Sequence, residues 1–162
     1  MNGAALRWSV IGIVAVAAAA RAQEPASALR RVQSIRLEGV EGRLDHLAYD
    51  AERGRLFVAA LGNGTLEVID VASGARLRQI DGLKQPSGVA FVPDAGRVAV
   101  ATAGDGRCRL FDASLALVGS VDALEDADNL RYDAAAKRLW VGYGEGALAA
   151  VDPERGVRLA SV

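Results

Sequence analysis

The single histidine of the chain, His46, directly follows Asp45, and the pairs Ser87-Gly88 and Asp128-Asn129 recur 42 and 41 residues further on. An imidazole among carboxylates and a hydroxyl is raw material for three chemistries. Asp45, His46 and Ser87 have the residue types of a nucleophilic triad, in which a carboxylate orients the imidazole that takes the hydroxyl proton. Adjacent residues of an extended strand point to opposite faces, so Asp45 and His46 are expected not to meet. As a metal ligand His46 has no second His or Cys to join it, and no metal site is expected. Asp45, Asp128 and Asn129 offer oxygens to a calcium ion, but Ca²⁺ takes about six to eight of them, and three are too few. No catalytic residue is assigned. These side chains, with Ser87, are expected to cap strand ends and form a polar rim.

What positions them is an internal repeat. The chain reads DHLAYDAERGRLFVAALGNGTLEVIDVASGARLRQIDGL from Asp45, SGVAFVPDAGRVAVATAGDGRCRLFDASLALVGSVDAL from Ser87 and DNLRYDAAAKRLWVGYGEGALAAVDPERGVRLASV from Asp128. Tyr49, Phe91 and Tyr132 correspond, as do Arg55, Arg97 and Arg138; Gly64, Gly106 and Gly146; and Asp70, Asp112 and Asp152. Each copy holds four short β-prone runs parted by turn residues; in the first they are 47–49, 56–60, 65–69 and 76–80. Glycines in the intervening turns can take the positive φ of tight hairpins. The Asp closing each third run is expected to fold its carboxylate onto the following backbone.

A four-stranded antiparallel sheet repeated about every 40 residues is the pattern of a propeller blade. The expected fold is therefore an all-β propeller segment of about three blades. Each sheet packs on its neighbours, so the second strands can be almost wholly apolar, as in Leu56-Phe57-Val58-Ala59-Ala60. Cys108, at the position of Leu66 and Leu148, is expected to be a buried small hydrophobe, and Trp140, at the position of Phe57 and Ala99, to be core. Arg55, Arg97 and Arg138 are expected to pair with Asp50, Asp94 and Asp133. In such a blade the loops leading into strand one and those between strands two and three share a rim. Asp45, His46, Ser87, Asp128 and Asn129 lie on the first set, Asn63, Asp105 and Glu145 on the second, and all eight are candidate ligand-binding residues. Gly62-Asn63-Gly64 and Gly104-Asp105-Gly106 are hairpin turns and not phosphate loops, since no Gly-Lys-Ser or Gly-Lys-Thr follows.

Residues 1–22 read as a secretory leader: Arg7, an uncharged run from Trp8 to Ala20, then Ala20-Arg21-Ala22 before Gln23. That run is short of the roughly 20 residues that span a bilayer. Residues 23–31 are then a linker and 32–162 the folded domain, in the periplasm or outside the cell, with no membrane span once the leader is gone. Of 19 basic and 20 acidic residues the leader removes Arg7 and Arg21, leaving a net charge of −3. That balance argues against nucleic acid as a partner.

With these residues in view, the pattern resembles the YVTN-type β-propeller repeats of secreted bacterial proteins across residues 32–162. The segment behind that name is degenerate, reading Phe57-Val58-Ala59-Ala60, Ala99-Val100-Ala101-Thr102 and Trp140-Val141-Gly142-Tyr143. The resemblance implies about seven blades in complete relatives, and activities ranging from lactone hydrolysis through cofactor-assisted oxidation to binding alone. Residues 32–38 align with the outer strands of the blades and are expected to form an outer strand without inner mates. The chain thus reads as a partial member of the family, with ring closure by two copies as the alternative and self-association through exposed blade faces as the consequence. The expected role is a scaffold for a ligand or protein partner. The alternative is a lactonase-like hydrolase or cofactor-dependent oxidoreductase. No cofactor is expected of this chain alone, Ca²⁺ being within reach only of a complete ring.

Overall fold

A computed structural model describes residues 29–162; the expected leader and all but the end of the linker lie outside the described residues. All strands fall within the unit Gln33–Val162. They form three four-stranded antiparallel sheets, each in simple chain order. The first holds β1 (Leu47–Asp50), β2 (Arg55–Ala60), β3 (Thr65–Asp70) and β4 (Arg76–Ile80). The second holds β5 (Pro86–Val92), β6 (Arg97–Thr102), β7 (Arg107–Phe111) and β8 (Leu117–Val121), and the third β9 (Leu130–Asp133), β10 (Arg138–Tyr143), β11 (Ala147–Asp152) and β12 (Val157–Ser161).

Alternation along the second and third strands of each sheet sends side chains to two sides, and both are used. Phe57, Ala59, Leu66 and Val68 of the first sheet pack on Val89, Val98, Val100 and Phe111 of the second. The other parity of the second sheet, Ala99, Ala101, Cys108 and Leu110, packs on Leu130, Leu139, Val141, Ala149 and Val151 of the third. Two apolar layers thus hold three sheets side by side. Cys108 sits in the second layer as expected, and its burial pushes the thiol up to about 12, too high for a reactive thiolate.

Trp140 departs from expectation. It is half-buried, while Phe57 and Ala99 at the same position are buried. Leu139 and Val141 take the side of β10 that faces the second sheet, so parity turns Trp140 to the side opposite, with the exposed Leu148 across from Gly142.

The turns behave chemically as their residues require. Main-chain N–H groups of Ser73, Ser114 and Glu154 donate to Asp70, Asp112 and Asp152 at 2.7, 2.8 and 2.9 Å. These bonds and the Ser73 and Ser114 hydroxyls hold the Asp70 and Asp112 carboxyls below the usual carboxylate range. Gly64 and Gly106 have φ of 71° and 61°, and a Cβ at Gly64 would come 2.9 Å from the Leu83 carbonyl oxygen. Two differences from the sequence reading remain. The third and fourth strands slip register at the same place in every sheet, at 68/69, 110/111 and 150/151. The stretch 32–38, expected as a lone outer strand, pairs with no strand among the described residues. It runs against the first sheet instead, with Gln33 and Ile35 beside Gly74 and the Glu38 carbonyl accepting from Arg76 at 3.0 Å. A strand with no ladder partner gains nothing from extension, and side-chain and turn contacts set its course.

Candidate functional site

The loops leading into β1, β5 and β9 are tied to the ends of the second strands. Asp45 N–H donates to Ala59 and Asp128 N–H to Gly142, at 2.9 and 3.0 Å; Gly62 N–H donates to Arg43 and Ala103 N–H to Gln85, at 3.0 and 3.1 Å. The first and third of these loops meet the start of β5. Ser87 and Gly88 lie there at an irregular register and not in the lead-in loop expected of them, since Pro86 already pairs with Thr102. Ser87 carbonyl oxygen accepts from His46 N–H at 3.2 Å, and Ser87 Oγ donates to the Ala127 carbonyl at 3.1 Å. Gly88 lies so close to the next loop that a Cβ there would stand 2.0 Å from the Asp128 carbonyl oxygen. Small residues and backbone polar groups therefore bring the loops before β1 and β9 onto the first residues of β5.

A cavity of about 330 Å³ opens there, lined by Arg43, Asp45, Gln85, Ser87, Asp126 and Asp128 with Leu61 and Ala103. Its polar lining is two triplets of equivalent positions, Arg43/Gln85/Asp126 and Asp45/Ser87/Asp128, one member from each repeat. Three carboxylates face one guanidinium, and Arg43 donates to Asp45 at 2.8 Å, so the lining keeps an excess of negative charge. Arg43, Gln85 and Asp126 escaped the sequence reading. The repeat register itself carries the signal, since they stand two positions ahead of Asp45, Ser87 and Asp128.

His46 stands beside this cavity. Its Nδ1 lies 3.1 Å from the Ser87 carbonyl oxygen and 3.2 Å from Asp45 Oδ1, both of them acceptors. In neutral imidazole that places the proton on Nδ1 and leaves Nε2 with its lone pair. The expectation that Asp45 and His46 cannot meet is thus corrected. Both precede β1, which begins at Leu47, and strand alternation does not govern them. The triad fails for another reason: Ser87 presents its carbonyl to His46, while its hydroxyl is buried and committed to Ala127. Nor does His46 lack company, for ligand atoms of Asp45, His46 and Asp128 all lie within 4.8 Å of one another.

The remaining candidates separate. Asn129 joins Asp128 and Asp126 around a neighbouring hollow with Tyr143 and Leu148. Asn63, Asp105 and Glu145 line neither cavity. Asn63 donates to Thr65 at 3.4 Å, Glu145 is exposed, and Asp105 is bound by Arg109 at 2.5 Å. The Arg109 hydrogen bond, aided by Thr102, holds the Asp105 carboxyl low despite its partial burial. At the other ends of the strands, Arg55 pairs with Asp50 at 3.0 Å as expected, but Arg97 donates to the Pro153 and Glu154 carbonyls at 2.6 Å, and Asp94 accepts from Tyr132 at 2.8 Å. Arg138 makes no ion pair with Asp133 among the described residues.

No family model matches the chain, and no curated protein matches it. Among solved structures it is similar to hydrazine synthase of Kuenenia stuttgartiensis, with a TM-score of 0.66 and 15% identity, over 80% of this chain and 39% of that one. The fold is that of β-propeller blades. At such identity the likeness speaks of architecture alone, and the chain spans well under half of that relative. Among the described residues no helix is long and apolar enough to cross a membrane.

Proposed function

We propose that this is a secreted or periplasmic β-propeller repeat protein of the YVTN type that serves as a binding scaffold, taking a small, positively charged polar ligand at the cavity between its lead-in loops. One observation carries the reading: six polar side chains at two sets of equivalent repeat positions converge on one cavity with a surplus of carboxylates. Secretion rests on the leader pattern of residues 1–22 and on nothing in the fold. Hydrolysis is the weaker reading, because the Ser87 hydroxyl is turned from His46.

Saturation-transfer NMR with a panel of small amines, diamines and amino acids tests the scaffold. At least one amine should bind the chain and lose its signal in Asp126→Asn/Asp128→Asn. Binding indifferent to that double substitution, or none across the panel, would remove the reading. Lactone turnover lost in His46→Gln would replace it with hydrolysis.

The partly exposed Trp140 and the exposed Leu148 share one side of the third sheet. A second copy of this chain is the proposed cover for that side. Sedimentation at micromolar concentration is expected to show a dimer or larger species that Trp140→Ser/Leu148→Ser shifts toward monomer. A compact monomer of the unsubstituted chain would refute the association.

A further inference from the structure

The geometry points to a second use of the same loops: a divalent transition-metal ion, with Zn²⁺ as the type, held by His46, Asp45 and Asp128. This deepens the binding-scaffold reading and rests on the lead-in loops being a binding site. Three observations combine. The ligand atoms of the three residues already lie within 4.8 Å of one another, although the residues come from the loops of the first and third sheets. Ligands bound at about 2.0 to 2.2 Å stand about 3 to 4 Å apart, so closure needs only small side-chain movements. The imidazole turns Nδ1 to Asp45 Oδ1 at 3.2 Å, the spacing of two ligands on one small ion, and a metal at that nitrogen would take the place of the proton now held near the Ser87 carbonyl. The donors are one nitrogen and carboxylate oxygens. That set suits zinc and its first-row neighbours, whereas calcium requires more oxygens than these residues supply.

The second sheet contributes without ligating. Ser87 accepts from His46 on one side and donates to Ala127, next to Asp128, on the other. It therefore spaces the two ligand-bearing loops, and a bound ion would tie the first blade to the third across it. Arg43 takes the Oδ2 oxygen of Asp45 and leaves Oδ1 turned toward the imidazole.

Calorimetric titration of the full chain, freed of metal by chelation, with ZnCl₂ tests the inference. Co²⁺ absorption reports the coordination sphere. One equivalent is expected to bind and to raise the melting temperature, and His46→Gln and Asp128→Asn should each weaken binding about tenfold or more. Glu52→Gln, on an exposed turn, should bind as the parent does. No saturable binding, affinity unchanged in His46→Gln, or a preference for CaCl₂ over ZnCl₂ would overturn it. Amine binding that persists in such a metal-free result would leave the scaffold reading standing.

Discussion

Gly88→Ala is expected to lower stability by about 3 kcal/mol, near the upper end for overpacking a filled interior, which for a domain of this size is a fall in Tm of roughly 10 °C. The obstacle is main chain. A Cβ would lie 2.0 Å from the Asp128 carbonyl oxygen, 3.0 Å from its carbonyl carbon and 3.2 Å from the Ala101 Cβ. None of these can rotate away, so the start of β5 and the loop leading into β9 must separate. Gly119→Ala is the control, since its Cβ would meet Leu110 at 3.5 Å in ordinary contact. It should stay within about 0.5 kcal/mol of the parent. Thermal melts of both variants decide the matter, and equal melting would refute the steric argument. Gly88→Ala should also weaken the amine binding proposed for the cavity, because Asp128 moves away from Asp45.

Arg55→Ala is expected to cost about 3 kcal/mol, the low end of the scale for breaking a buried pair, because Asp50 would keep only its contacts with Arg53. Asp50 is fully buried, and its Oδ2 accepts from Arg55 Nε and Nη2 at 3.3 and 3.0 Å. The same guanidinium donates to the Ala113 carbonyl at 3.0 Å and lies over the Phe57 ring, so one side chain joins a buried charge, a turn of the second sheet and the apolar layer. Arg138→Ala, at the equivalent position of the third sheet, should change stability by less than about 0.5 kcal/mol, Arg138 being exposed. Urea melts compare the two. Similar losses would show that repeat position, and not the buried pair, sets the effect.

Acid adds a second reading of that pair. Burial alone would raise the Asp50 carboxyl, but the hydrogen bonds from Arg55 and Arg53 and their charges outweigh it and hold it below 3.8. Asp70 and Asp112 are held below 3.8 by their serine and main-chain donors. A carboxyl lowered on folding stabilises fully above its unfolded value, and the contribution drains away as pH falls through the folded one. Stability should therefore hold from neutrality down to about pH 4 and decline below it. In Arg55→Ala the decline should be shallower, because Asp50 then keeps only the weaker support of Arg53 against its burial.

Much of this architecture was legible because the repeat supplies its own internal comparison. The runs 56–60 and 76–80 reappear as β2 and β4 with at most one residue added, since β-prone residues between Gly-bearing turns leave the backbone little choice. Cys108 and the three turn aspartates behaved as their positions implied, each needing only local parity or local backbone to act. Trp140 did not, because burial of a strand residue also needs something across the gap. The stretch 32–38 did not, because a strand requires a partner.

The candidate site divides along the same line. Residue types and their period were enough to establish the equivalence of Asp45, Ser87 and Asp128 and the strand and turn grammar that sets them at one end of the sheets. Packing of the blades settles the rest: Arg43, Gln85 and Asp126 join them, Asp45 reaches His46, and Ser87 offers a carbonyl while its hydroxyl is spent elsewhere. Residue type and period act along the chain. The direction of a side chain in a loop is chosen by hydrogen bonds to neighbours some 40 residues away, and these exist only once the blades have packed.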